Sequence, residues 1–86
     1  MTPANVYPGW RVKEVGYSDV SSFPATISCP QFRPAQGDLV FITRYAQYRG
    51  NTGWIYTQNW AAGSFDWYST DTIHGDSIFW VVVGQF

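Results

Sequence analysis

His74, flanked by Asp71 and Asp76 in one short loop, is the nearest thing in this chain to a chemical grouping. An imidazole beside two carboxylates can hold a metal or move a proton. Metal sites, however, generally use three or more protein ligands steadied by further hydrogen bonds. Asp is also frequent in loops because its side chain bonds nearby backbone. The loop therefore reads equally as a solvated β-turn. No metal and no other cofactor is implied.

Other nucleophiles lack their companions. Ser, His and Asp all occur, but no Gly-x-Ser-x-Gly elbow exists, and Gly63-Ser64-Phe65 reads as a turn. Cys29 precedes Pro30 and has no basic neighbour to favour a thiolate. As the single cysteine it can form neither an internal disulfide nor a Cys-based zinc site. The acids are scattered through loops, without the facing pair that glycoside hydrolysis needs. The expectation is a protein that works without catalysis.

Aromatic residues are the stronger signal. Tyr45, Tyr48, Trp54, Tyr56, Trp60, Trp67 and Tyr68 are interleaved with Arg44, Arg49, Asn51, Gln58, Asn59 and Asp66. A flat ring beside amide and carboxylate groups suits a sugar, whose C–H face meets the ring while its hydroxyls meet the polar groups. The same mixture suits a protein interface, where Trp, Tyr and Arg are enriched. It also suits the core of a small domain, which must bury large rings. The candidate ligand-binding residues are Trp60, Tyr48, Arg49, Asn51, Asn59, Trp67 and Asp66. Trp60 is the expected exposed ring, because the turn after it is built from small residues.

Composition narrows the partners. The chain has 86 residues, a net charge of −1, 20% aromatic and only 13% charged residues. Charge is about half the usual ~25%, which would leave a monomer with a sticky exterior. Its five cationic residues are dispersed, which argues against nucleic-acid binding. The N-terminus lacks the charged and apolar regions of a signal peptide. The longest apolar run, residues 78–83, is far shorter than the ~20 residues of a membrane helix. A soluble protein made in the cytoplasm, with no membrane insertion, is expected.

The elements that must position these groups are strands. Period-two segments occur at residues 10–15, 23–28, 39–45, 54–59, 65–69 and 77–83, separated by Gly, Pro and Asn. Leu39, Phe41, Thr43 and Tyr45 share one face, and Val40, Ile42 and Arg44 the other. Residues 49–53 read as a hairpin tip, with 54–59 returning as the partner of 39–45. The last nine residues, 78–86, are nearly all apolar and read as a strand buried on both faces. Phe79, Trp80, Val81, Val83 and Phe86 are the candidate oligomer-interface or core residues. Residues 1–9 read as an extended arm and 10–86 as one β domain. The expected fold is all-β, a compact antiparallel β-sandwich or small barrel of six to seven short strands.

The segment Asp76-Ser77-Ile78-Phe79-Trp80-Val81-Val82-Val83-Gly84 resembles the closing strand of small β-sandwich tips on phage tail fibres, and H-type lectins close comparably. Phe23-Pro24-Ala25-Thr26-Ile27-Ser28-Cys29 is similar to an early strand of the fibre tips. The chain has no fibrous stalk, so the resemblance favours a small stand-alone virion protein or an excised domain. It implies a homo-oligomer, with a trimer favoured, in contact with other virion proteins and a host-surface glycan. The function expected is a structural and attachment protein of a tailed-phage virion, at a tail tip, fibre or capsid surface. A carbohydrate-binding lectin of non-viral origin is the alternative. A small metal-binding or hydrolytic protein using the His74 loop is the second.

Overall fold

The computed structural model describes residues 9–45 and 50–85. The chain forms β1 (Trp10–Val20), β2 (Ala25–Ser28), β3 (Leu39–Arg44), β4 (Ile55–Ala61), β5 (Ser64–Ser69) and β6 (Asp76–Gln85), with a 3-10 turn at Pro34–Gln36. The strands make two antiparallel three-stranded sheets, β1-β6-β3 and β2-β5-β4, packed together. The all-β sandwich expected from period-two patterning is the observed fold. Of the expected arm, residues 1–8 lie outside the described residues, as does Phe86.

The inner faces meet in one core. Ala25, Ile27, Cys29, Phe32, Val40, Phe65, Trp67, Ile78, Trp80 and Val82 are buried, and Val20, Phe23, Ile42 and Ile55 pack against them. The rings meet edge to face: Phe65 with Trp80, Phe32 with Phe65, and Phe23 with Trp67. Such pairs add about 0.5–1.5 kcal/mol beyond their buried area. The Trp67 indole N–H would be costly to bury unpaired. It donates to Ser18 Oγ on the opposite sheet (3.0 Å).

Three expectations about the strands are corrected. First, β1 does not stop at Val15. Gly16 continues the ladder opposite Trp80, and a Cβ there would lie 2.3 Å from the indole. Glycine is what lets the ring lie flat against the strand, so here it marks close packing and not a turn. Second, β4 is not the partner of β3. β3 pairs with β6, β4 with β5, and residues 50–53 lead from one sheet to the other. Third, β6 is buried on one face only. Ile78, Trp80 and Val82 point inward, whereas Phe79 is 45% exposed. As the central strand of its sheet, β6 is fully paired by β1 and β3, but among the described residues no element covers its outer side.

Charged groups close the open ends of the sandwich. A bulge at Val12/Glu14 interrupts the simple alternation of β1. Lys13 reaches Asp38 (2.6 Å), and both side chains are almost fully buried. Asp38 also accepts the Arg33 backbone N–H (2.8 Å), and it fits beside Gly84 only because that residue has no Cβ. At the other end of the sheet Arg44 pairs with buried Asp76 (2.6 Å) and donates to the Gly53 carbonyl (2.7 Å).

Candidate functional site

The outer face of the β1-β6-β3 sheet is built from cross-strand rows. The register aligns Val12–Val83–Leu39, then Val15–Val81–Phe41, then Tyr17–Phe79–Thr43. Beyond them the Tyr17 and Tyr45 rings meet edge to face at 5.0 Å. Val12, Val15, Tyr17, Phe41 and Tyr45 are each more than half exposed. Val15, Phe41, Thr43, Phe79 and Val81 line a shallow depression of about 320 Å³. Four half-exposed rings and three aliphatic side chains amount to an apolar patch on the order of 650 Å². That is larger than the ~300–600 Å² patch of a typical monomer.

The outer face of the β2-β5-β4 sheet is different in kind. Its rows are Trp54 opposite Thr70, Tyr56 opposite Tyr68, and Gln58–Asp66–Thr26. Tyr56 and Tyr68 stack at 5.2 Å with an interplanar angle of 6°. Asp66 accepts the Thr26 hydroxyl (2.7 Å) on one oxygen and the Asn59 amide (2.9 Å) on the other. These two bonds hold its carboxyl below the ordinary carboxylate pKa, against a small opposing effect of burial.

A second bulge shapes this face. Asn59 and Trp60 together stand opposite Phe65, between the pairs Gln58↔Asp66 and Ala61↔Ser64. Asn59 takes the left-handed conformation (φ 57°), which Asn tolerates better than other non-glycine residues. The extra residue lets Gln58 and Asn59 both face outward beside Asp66. It also brings Trp60 edge to face onto Phe32 (5.4 Å), with its N–H donated to Thr57 Oγ1 (2.9 Å).

The His74 loop separates into two parts. Asp71 accepts from the His74 ring (2.9 Å) and from the backbone N–H groups of His74, Ile73 and Thr52. The His74 side chain contributes most to holding the Asp71 carboxyl far below its usual pKa, followed by those N–H groups. Asp76 turns away into the sheet, to Arg44. The three groups therefore do not converge, and among the described residues no cluster of three or more His, Cys, Asp or Glu could hold a metal.

The candidate residues thus fall in different places. Asn59 and Asp66 come together on the outer face of the β2-β5-β4 sheet. Trp67 does not join them: it is fully buried, because β5 alternates and places Phe65, Trp67 and Ser69 inward. Asn51 is also fully buried. Its carbonyl accepts from Gly53 N and Ser69 Oγ, and its amide donates to the Asp71 and His74 carbonyls, so it ties two loops together. Trp60, the expected exposed ring, keeps 38% of its surface exposed while its edge meets Phe32. Tyr48 and Arg49 lie outside the described residues. Trp80 is core, whereas Phe79, Val81 and Val83 belong to the open apolar face. The most exposed indole is Trp54, at 80%, and Thr26 joins the polar group through a pairing that links residues 40 positions apart.

The fold and its two faces define a small all-β sandwich with one apolar and one polar-aromatic exterior. Comparison with known protein families, with curated proteins and with solved structures gave no match.

Proposed function

We propose that this protein is an assembly component, acting by packing the outer face of its β1-β6-β3 sheet against the same face of a second copy. The observation that carries the reading is the set of three consecutive apolar cross-strand rows on an otherwise finished sheet. Two such faces in contact would bury about 1,300 Å² in total, within the ~1,200–2,000 Å² of stable interfaces. The three rows hold no charge, and the Asp19 carboxylate at the margin of the patch accepts from the Tyr17 hydroxyl (3.5 Å). One face meeting itself gives a two-fold dimer. The trimer implied by the resemblance to fibre tips would need two different surfaces.

The setting we propose is the surface of a tailed-phage virion, supported by the resemblance of residues 23–29 and 76–84 and by the sparse charge. Sedimentation tests the assembly step. The wild type is expected to be a dimer at micromolar concentration, and Phe41→Asp a folded monomer. A charge at Val82 is no substitute, because Val82 is fully buried and its replacement would break the core. A monomeric wild type ends the proposal, and a heteromeric complex with another virion protein replaces the second copy as partner.

A further inference from the structure

We infer that the outer face of the β2-β5-β4 sheet is a binding site for a neutral saccharide, with Trp54 as its stacking surface and the Tyr56 and Tyr68 hydroxyls, Gln58, Asn59 and Asp66 as its hydroxyl-binding groups. It lies on the opposite side of the sandwich from the face proposed to pair, so the two can be occupied together.

Trp54, Tyr56 and Gln58 alternate outward along one strand edge and span about 14 Å at ~3.4 Å per residue. That length accommodates a short oligosaccharide better than a single ring. Trp54 is 80% exposed, and its indole N–H has no partner among the described residues. The Tyr56 and Tyr68 hydroxyls and the Gln58 amide are likewise without side-chain partners there. Such a set of open donors and acceptors around flat rings matches a sugar, whose hydroxyls both donate and accept.

The polar groups are held in place in advance. Asp66 uses one acceptor position on each oxygen for Thr26 and Asn59, leaving further lone pairs directed at solvent. Its position is fixed before any ligand arrives, which lowers the ordering cost of binding. The left-handed Asn59 and its bulge carry a backbone cost, and their result is a second amide beside Asp66 on the open face. A regular strand would have sent that residue inward.

Charge sets the class of sugar. The rows of this face hold Asp66 and no Lys or Arg. A sialylated, uronic or sulfated glycan would bring a like charge to a fixed carboxylate, so the ligand is uncharged.

The test is a printed array of defined neutral and acidic oligosaccharides, followed by calorimetry with the free oligosaccharide that gives signal. Neutral glycans are expected to bind and acidic ones not. Trp54→Ala and Asp66→Asn are each expected to weaken binding at least tenfold, with near-ultraviolet circular dichroism showing the core intact. Phe41→Asp is expected to keep the affinity for free saccharide, because it acts on the other face. A silent array, signal confined to acidic glycans, or affinity unchanged in both Trp54→Ala and Asp66→Asn overturns the inference. If only a protein partner is captured, and Trp54→Ala releases it, the face is a protein interface and the saccharide assignment falls. None of these results alters the sedimentation outcome, so this site and the dimer fail separately.

Discussion

The two sheets share an architecture and differ in what they show to solvent. Each has three antiparallel strands, and the inner residues of both central strands join the same aromatic core. On the outer side, β5 presents Ser64, Asp66 and Tyr68, while β6 presents Phe79, Val81 and Val83. The inner alternation is dictated by burial. The outer alternation is not needed for the sandwich to close, so its chemistry is free to serve other ends. One sheet uses it for polar and aromatic groups held by hydrogen bonds, and the other for uncharged apolar rows. An antiparallel sheet with one wet face reads as a finished surface. One with two apolar faces leaves a contiguous apolar surface in water, the patch on which the proposed pairing rests.

The largest effect is expected from inside the core. Trp67→Ala removes a fully buried ring that bridges to the other sheet through Ser18. It is expected to cost about 3–5 kcal/mol, read by urea unfolding, and to weaken both faces alike. Intact pairing through β6 in an otherwise unfolded β5 sheet would show that the sheets are energetically separate.

Gly16→Ala acts first on one sheet, through Trp80. The added methyl meets Trp80 at 2.3 Å, and overpacking of this kind costs about 1–3 kcal/mol. Amide exchange is expected to quicken first in β1 and β6. Faster exchange starting in β4 and β5 would argue against local strain.

Smaller effects sharpen the contrast between the outer faces. Val15→Thr and Thr26→Val exchange polarity at exposed positions, and each is expected to change stability by less than about 0.5 kcal/mol. Their consequences should differ: Val15→Thr weakens self-association, and Thr26→Val loosens Asp66 without touching it. Equal effects on association from both would remove the distinction between the faces.

The pH response is the smallest expected effect. The Asp71 carboxyl titrates lower folded than unfolded, so its contribution is complete above the unfolded value of about 3.9 and is lost as pH falls through the folded one. Asp71→Asn should therefore melt lower than the wild type at neutral pH, with the gap closing below about pH 4. A gap that widens on acidification would contradict that sign. Cys29 gives a simple control. Burial, then the nearby charge of Glu14, raises its thiol pKa to about 11, so a thiol reagent should label it only after unfolding.

Much of this was legible in the residues themselves. Alternation at residues 39–45 and 65–69 placed two strands and assigned their faces correctly, because period-two patterning survives any tertiary arrangement. It could not say which face of residues 39–45 was inside. Phe41 and Tyr45 look more like core than Val40 and Arg44 do, yet Arg44 lies inward because Asp76 awaits it across the sheet. Trp67, expected among the ligand-binding residues, lies in the core for a related reason. Ring type says nothing about burial, and Trp54 ends up exposed because it precedes a strand whose outer row continues through it. The Asp66 cluster had half its members visible as neighbours in sequence, Gln58 and Asn59. Thr26 could not be seen, since only strand pairing brings β2 beside β5.

By itself the sequence determined the class of structure: strands of alternating polarity, punctuated by Gly and Pro, in a chain with few charges. These are local properties, written in neighbouring side chains. The tertiary structure alone decided that β3 and β4 belong to different sheets, that β6 is half open, and that one exterior is apolar and the other polar. Those outcomes depend on pairing and register, and register decides the side of the sheet to which every residue on a strand points.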